Sequence, residues 1–400
     1  MNRFTPGNRI ELLRSGGEFF PALAAAIDGA EREIWLETYI FADDDAGRTI
    51  AGALVRAAAR GVVVRVLVDG WGAKLYLTRR LERTLRDGRV HLLKYRPEVA
   101  PWQFRSHRLR RLHRKLCHVD RHVAFIGGIN LIDDMNTPHQ KPPRMDFAVR
   151  VSGPLLNPIV QTMQRLWALV ELVQFERSDV PLFPDPIEVP RAGLQTAKFV
   201  IRDNLRYRRD IERAYLAAIR TARREILIAN AYVFPGVRFR RALIAAAARG
   251  VKVTLLLQAR VEYRLLHYAS RALYGHLLAA GVTIAEYHRS FLHAKVAVVD
   301  DRWATVGSSN IDPYSLLMAR EANVFVRDPH FAGELRIELL QMIDTGTRPV
   351  EPQRWGERPL LVKAVTWIAY GVVRLGMGLL GYGGDEWFPK RKRNSRRSAS

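Results

Sequence analysis

The chain has 400 residues and a formal net charge of +23, with 48% hydrophobic and 26% charged residues. This balance excludes a wholly disordered protein, and the length favours two domains or one duplicated domain. The charge predicts a polyanionic partner, either nucleic acid or an acidic membrane surface. The single cysteine, Cys117, excludes an internal disulfide and a cysteine-rich metal site, and it favours a reducing, cytoplasmic compartment.

The first predicted elements recur in the second half of the chain. Residues 30–41 indicate a strand, followed by an alanine-rich helix that stops at Gly61 and by another strand. Residues 222–234 lead in the same way to a helix that stops at Gly250 and to a further strand. Each copy is typical of a βαβ unit. The sequence therefore predicts an α/β protein with two pseudo-symmetric halves, in which mixed sheets are flanked by helices.

The boundaries between these parts follow from composition. Residues 155–175 have mixed helical periodicity, which favours a core helix over a membrane contact. Four prolines between positions 181 and 190 then interrupt the pattern. We therefore expect a first half at 1–175, a proline-rich linker at 176–196, a second half at 197–345, and an apolar segment with a basic tail at 346–400.

Each half carries the same motif, His-x-Lys-x4-Asp, followed after an interval of six residues by Gly-x-x-Asn. The copies begin at His113 and His293, and both predict a strand, a turn and a second strand. Residues i and i+2 of a strand share a face, so each histidine is expected beside its motif lysine. The first half has nine extra residues before its motif, partly in the basic, aromatic segment 102–111, which could hold a phosphate or form a solvated loop.

This pattern suits attack on a phosphodiester. A neutral imidazole is a nucleophile, and ammonium, hydroxyl and amide donors stabilise charge on phosphoryl oxygens. One histidine would form a phosphohistidine while the other protonates the leaving oxygen, so both halves should build one shared site. The candidate catalytic residues are His113, Lys115, Asp120, His293, Lys295 and Asp300, and the candidate supporting residues are Asn130, Ser308, Asn310, Asp146 and Glu321.

Several of these assignments have alternatives. Asp146 and Glu321 are candidates for orienting the histidines, whereas Asp120 and Asp300, predicted at turns, could instead stabilise the hairpins. Gly128 stands where the second motif has Ser308, which predicts an asymmetric site. A metal site is disfavoured because the paired lysines would compete with the cation. His118 and Cys117 are interpreted as buried structural residues.

The duplicated motif resembles the signature of the phospholipase D superfamily, over residues 8–345. Within it the chain looks like a bacterial cardiolipin synthase of the B type, because of Glu37-x-Tyr39-x-Phe41, Gly127-Gly128-Ile129-Asn130, and the lack of N-terminal membrane spans. The resemblance implies phosphatidyl transfer between two phosphatidylglycerol molecules with release of glycerol, without cofactor or metal. In several members of the superfamily the N-terminal histidine is the nucleophile, which favours His113 and leaves His293 as the alternative.

The C-terminal part predicts membrane contact. The apolar tract 360–380 is interrupted by Lys363 and Arg374, which makes a bilayer span less favourable than attachment at the interface. A helix packed on the core is the alternative. The basic run 390–397 would add attraction to anionic lipids such as phosphatidylglycerol. We expect a peripheral protein on the cytoplasmic face of the bacterial inner membrane.

Other functions within the same chemistry stay open. A nuclease or other phosphodiesterase of the superfamily would also suit the positive charge, although the apolar tract disfavours a nucleic-acid partner. Hydrolysis to phosphatidic acid and the use of phosphatidylethanolamine are further alternatives. A non-catalytic adaptor would require both intact motifs to be vestigial.

Overall fold

The computed structural model describes residues 3–97, 111–138, 140–175, 179–203, 207–231, 233–260, 264–312 and 319–379. Most of the basic, aromatic segment 102–111 and the whole of the basic run 390–397 lie outside these residues. What the sequence predicts for these two segments therefore stays a prediction.

The first half contains nine strands and five helices among its described residues. The strands are β1 (Thr5–Arg14), β2 (Glu33–Thr38), β3 (Val63–Asp69), β4 (His91–Tyr95), β5 (Arg111–Leu112), β6 (Leu116–Val119), β7 (Val123–Gly127), β8 (Arg144–Met145) and β9 (Phe147–Ser152). The helices are α1 (Ser15–Asp28), α2 (Asp45–Ala59), α3 (Gly70–Tyr76), α4 (Arg79–Asp87) and α5 (Leu156–Val173).

The described part of the second half repeats this order and adds elements at its end. The strands are β10 (Gln195–Arg202), β11 (Glu225–Asn230), β12 (Lys252–Gln258), β13 (Thr283–Tyr287), β14 (Phe291–Leu292), β15 (Lys295–Val299), β16 (Trp303–Gly307), β17 (Ala319–Arg327) and β18 (Thr347–Pro349). The helices are α6 (Asp210–Thr221), α7 (Val237–Ala248), α8 (Arg264–Arg271), α9 (Tyr274–Ala279), α10 (Pro329–Gly346), α11 (Pro352–Gly356) and α12 (Leu360–Leu379).

The two halves form one continuous mixed sheet. Its order is β18-β13-β12-β11-β15-β16-β17-β10-β1-β9-β7-β6-β2-β3-β4, and the halves join where β1 pairs antiparallel with β10. In each half the βαβ strands are parallel, and the motif hairpin is added antiparallel to them, as β6 beside β2 and β15 beside β11. The predicted α/β class and the duplicated architecture are confirmed.

Local sequence explains the repeated helices. In α2 the side chain of Asp44 caps the first turn by accepting from Gly47 N at 3.1 Å, and Ile50 and Leu54 are buried one helical turn apart. The helix ends before Gly61, whose φ of +91° lies in the left-handed region that glycine tolerates best. Gly250, with φ +84°, ends the equivalent helix α7.

Helices cover both faces of the sheet. Helices α5 and α10 pack on the inner face, where one hydrophobic cluster contains residues from both halves, while α1 and α2, or α6 and α7, cover the outer face of each half. Residues 155–175 therefore contribute mainly to the core, as expected. Residues 179–194, within the predicted linker, have no helix or strand.

Candidate active site

The motif hairpins are held by their aspartates. Asp120 and Asp300 occupy the turns with φ of +50° and +52°, and each carboxylate accepts three backbone N–H groups. Those of Asp120 come from residues 31–33 and those of Asp300 from residues 223–225, just before or at the start of β2 and β11. The aspartates lie at the far end of β6 and β15 from the histidines, so neither joins the histidine cluster. This placement fits the alternative given for Asp120 and Asp300, in which they stabilise the hairpins, better than a direct catalytic part.

Each histidine is placed by the opposite half. His113 follows β5, which pairs parallel with β17 of the second half, and His113 N donates to Arg320 O at 3.0 Å. His293 follows β14, which pairs parallel with β8 of the first half, and His293 N donates to Met145 O at 2.8 Å. The histidines thus lie in extended segments outside the hairpin strands, where the two halves meet.

The carboxylates also cross between the halves. His113 Nδ1 lies 3.0 Å from Glu321 Oε1, and His293 Nδ1 lies 2.6 Å from Asp146 Oδ2. Both carboxylates are buried, whereas the histidine side chains are 19% and 15% exposed. A carboxylate at Nδ1 fixes the tautomer and leaves Nε2 as the ring nitrogen available to a ligand. Both expected orienting residues are thus in contact with a histidine, each with that of the other half.

The two carboxylates have different second partners. Ser308 Oγ donates to Glu321 Oε2 at 2.5 Å, so a neutral hydroxyl supports this carboxylate. Asp146 Oδ2 instead accepts from Lys295 Nζ at 3.3 Å. Burial alone would raise the pKa of Asp146, but Lys295 and His293 outweigh burial and hold it below its usual range. The predicted asymmetry is therefore present, although the Ser308 hydroxyl faces a carboxylate and not an open phosphate site.

Gly128 is required by this arrangement. A Cβ atom at Gly128 would lie 2.3 Å from Asp146 Oδ1, a distance that no real contact tolerates. The first half therefore has no room for the serine that the second half uses. The motif asparagines differ as well: Asn130 Oδ1 accepts from Ile40 N at 3.3 Å, whereas Asn310 Oδ1 is buried without a partner among the described residues.

Burial sets the electrostatics of the cluster. It lowers the pKa of His293 to about 3, reinforced by the Lys295 ammonium, and it lowers the pKa of His113 against the opposing charge of Glu321. Burial also lowers the pKa of Lys115 to about 7. Lys115 feels the charges of Glu321, Lys295 and Asp146, so the two half-sites form one electrostatic unit. Its Nζ donates to His113 O at 2.7 Å, and Lys295 Nζ likewise donates to His293 O.

Sequence reasoning missed two supporting residues. Asp69 Oδ2 accepts from Leu112 N at 2.8 Å, and Gln258 Oε1 accepts from Leu292 N at 2.8 Å. Each bond holds the backbone immediately before a motif histidine. The repeat in the sequence could have indicated both residues, because Asp69 and Gln258 occupy the same place in it, at the end of a buried strand.

A second missed feature is a buried ion pair beside His113. Arg114 Nη2 lies 2.7 Å from Glu37 Oε2, and both side chains are almost fully buried. The equivalent positions of the second half are Ala294 and Ala229, also buried. The first half alone therefore carries this charged support. Among the described residues, no group of three histidine, cysteine, aspartate or glutamate side chains is arranged to hold a metal ion.

Comparison with known families and sequences gives the following relatives. The family described as "Cardiolipin synthase, PLD-like domain" matches residues 23–142 and 215–343. Cardiolipin synthase B of Escherichia coli K12 is 37% identical over 388 residues, covering 94% of this chain and 90% of the relative. Cardiolipin synthase of Geobacillus thermodenitrificans is 29% identical over 356 residues, covering 88% of this chain and 70% of the relative.

Solved structures show the same fold. Phosphatidylserine synthase of Haemophilus influenzae superposes with a TM-score of 0.67 at 13% identity, covering 93% of this chain and 95% of that chain. Polyphosphate kinase of Porphyromonas gingivalis superposes with a TM-score of 0.55 at 14% identity, covering 93% of this chain and 53% of that chain. At these identities the likeness concerns architecture alone.

Proposed function

The chain belongs to the cardiolipin synthase family of phospholipase D-like proteins, and we propose that it transfers a phosphatidyl group from one phosphatidylglycerol to another through a phosphohistidine, releasing glycerol. The observation that supports this most is the crossed pair of contacts, His113 with Glu321 and His293 with Asp146. It provides two oriented imidazoles, each dependent on both halves, for a reaction that needs a nucleophile and an acid.

In the first step His113 Nε2 attacks the phosphorus of one phosphatidylglycerol. The bond between phosphorus and the headgroup oxygen breaks, and His293 gives that oxygen a proton as glycerol leaves. The anionic phosphodiester supports this step, because a negative charge between the histidines raises the pKa of both imidazoles. Lys115 and Lys295 stabilise the phosphoryl oxygens.

In the second step the neutral His293 takes the proton from a glycerol hydroxyl of a second phosphatidylglycerol. That oxygen attacks phosphorus, the bond between phosphorus and His113 Nε2 breaks, and cardiolipin leaves. One phosphodiester replaces another, so no nucleotide is consumed. We take His113 as the nucleophile, the order that the family resemblance favours. The hydrogen bonding of the carboxylates supports it, because Glu321 accepts from the neutral hydroxyl of Ser308 whereas Asp146 accepts from the ammonium of Lys295.

Turnover of labelled phosphatidylglycerol vesicles in EDTA tests this function. We expect cardiolipin and glycerol from the unmodified chain, and a loss of at least about 10³-fold in both His113→Ala and His293→Ala. His122→Ala is the matched control, because His122 is an exposed histidine in the turn between β6 and β7, away from the histidine cluster. Phosphatidic acid as the sole product would instead indicate a hydrolase, and turnover of nucleic acid alone a nuclease.

The covalent step has its own test. Mass spectrometry of enzyme quenched during turnover should find a phosphatidyl adduct on the peptide that contains His113, and none in His113→Ala. An adduct on His293 would reverse the two roles. Vesicles that contain phosphatidylethanolamine together with phosphatidylglycerol show whether phosphatidylethanolamine also serves as donor or acceptor.

We further propose peripheral attachment to the cytoplasmic face of the inner membrane. The described helices include none that is long and apolar enough to cross a bilayer. Helix α12 supports attachment at the interface, because it packs on the protein along one face and exposes large apolar side chains along another. One face of α12 packs on the protein, and the exposed apolar face is the one that we propose contacts the membrane.

A further inference from the structure

A cleft of about 370 Å³ lies between the end of α8 and helices α9, α11 and α12, and none of its lining residues belongs to the histidine cluster. Three cations line it, Arg271, Arg358 and Lys363, together with Trp355 and Trp367. The described lining contains no carboxylate. The cleft therefore offers positive charge and aromatic surface together.

The arginines are held close together in this cleft. The guanidinium of Arg358 lies 3.5 Å from the centroid of the Trp355 ring, and that of Arg271 lies 5.9 Å from the same ring. Burial and repulsion from Arg271 lower the pKa of Arg358. Arg271 pairs with Glu286 through Nη2 at 2.7 Å, while its Nε is buried without a hydrogen-bond partner among the described residues. An anion in the cleft would relieve this repulsion and supply an acceptor.

Beside the cleft, α12 exposes a stripe of large apolar side chains. The stripe consists of Leu361, Val365, Ile368, Val372 and Leu375, which recur at helical spacing and are between 42% and 76% exposed. A neighbouring face packs on the protein, with the ring of Tyr370 5.5 Å from that of Phe234. Such a contiguous exposed stripe marks a contact surface.

The stripe and the cleft share one helix. Lys363 and Trp367 of α12 line the cleft, and the stripe begins one or two residues away on the same helix. An occupant that matches both must carry an anionic group next to apolar chains. A nucleic acid supplies the phosphate without the apolar part, whereas an anionic phospholipid supplies both.

We propose that this cleft is a second, non-catalytic lipid site, in which Arg271, Arg358 and Lys363 hold the phosphate of a membrane phospholipid while the stripe of α12 enters the acyl region. The site docks the protein on anionic membrane. It rests on the proposed function only in taking a phospholipid membrane as the working surface.

Co-sedimentation with vesicles tests the site, using the full chain in a His113→Ala background so that no lipid is consumed. Vesicles of phosphatidylcholine with phosphatidylglycerol are compared with vesicles of phosphatidylcholine alone. We expect the double variant Arg358→Gln/Lys363→Gln to bind the anionic vesicles at least about tenfold more weakly, since each cation near the surface contributes about fivefold. Binding to neutral vesicles should not change.

Two matched variants separate the site from general charge and from misfolding. Arg83→Gln removes one exposed cation from α4 and should change binding by less than about twofold. Arg358→Lys keeps the charge and should retain most of the affinity. Equal losses in Arg83→Gln and Arg358→Gln, or no loss in the double variant, would overturn the proposal.

Binding of two other ligands to the same variants identifies the occupant. If the double variant loses affinity for inorganic phosphate while its binding to anionic vesicles is unchanged, the cleft recognises free phosphate and the lipid assignment fails. If a single-stranded oligonucleotide loses affinity with these substitutions while the vesicles do not, the surface serves nucleic acid. Sedimentation scores binding without turnover, so failure of this site and failure of phosphatidyl transfer are distinguishable.

Discussion

The two halves use one scaffold but support their histidines differently. Glu321, beside His113, is supported by the neutral hydroxyl of Ser308, whereas Asp146, beside His293, is shared with the ammonium of Lys295. The first half adds a buried ion pair where the second has two alanines. Duplication therefore preserved the geometry of the site while the polar support diverged. Unequal support is what a nucleophile and an acid–base residue require, since they need different proton affinities.

The largest expected effect comes from removing the charge of each carboxylate. Glu321→Gln and Asp146→Asn keep the shape but favour the wrong histidine tautomer, so kcat should fall by about 10³- to 10⁴-fold in both. Asp146→Asn should also lower the free energy of unfolding by about 3–5 kcal/mol, because Lys295 loses its buried partner. Steady-state kinetics and chemical denaturation measure both quantities. Equal stability losses in the two variants would contradict the difference between the half-sites.

The ion pair of the first half provides the next comparison. Glu37→Ala leaves Arg114 buried without its partner and should lower the free energy of unfolding by about 3–5 kcal/mol. Glu37→Ala/Arg114→Ala copies the second half and should recover a large part of that loss. If the double variant is folded but still impaired in kcat with KM unchanged, the pair acts by positioning His113. Full activity of the double variant would make the pair purely structural.

Exchanging the residues of the Gly-x-x-Asn segments should have smaller effects. Gly128→Ser introduces a Cβ atom 2.3 Å from Asp146 Oδ1, so the carboxylate must move and kcat should fall by about 100-fold. Ser308→Gly removes one hydrogen bond to Glu321 and should cost about tenfold. Steady-state kinetics of both variants under the same conditions test whether kcat falls further in Gly128→Ser than in Ser308→Gly. A larger loss in Ser308→Gly would show that the hydroxyl has a more direct part in the reaction.

Much of the architecture could be predicted, because the repeat places each element twice. The alanine-rich helices, their terminal glycines and the motif hairpins follow from local periodicity and turn residues. The alternative in which Asp120 and Asp300 stabilise turns also follows from their position after a strand. These features depend on neighbours within a few residues, or on one βαβ unit.

The crossed contacts could not be predicted in the same way. Asp146 lies 16 residues after Asn130 in the same half, and the sequence does not indicate which histidine it contacts. Its contact with His293 arises from the short parallel pairing of β8 with β14, which depends on how the two halves dock. The sequence indicates the Glu37–Arg114 pair only indirectly, because two charged residues stand where the other copy has two alanines. Sequence alone does not show that the two replacements meet.

The smallest expected effect is a pH dependence that arises from Lys115 of the first half. Burial lowers the pKa of Lys115 from 10.5 to about 7, so its ammonium is lost as the pH rises through 7. If that charge stabilises the phosphoryl oxygens, kcat/KM should fall about fivefold between pH 7 and 8. Lys115→Arg should remove this fall from the pH profile while lowering the maximal kcat/KM. Between pH 7 and 10.5 Lys115 binds a proton in the unfolded chain but not in the folded chain, so its contribution to the free energy of unfolding rises with pH. Lys115→Met should remove this contribution. If kcat/KM of Lys115→Arg still falls above pH 7, the fall belongs to another group, and Lys295→Arg is the next variant to test.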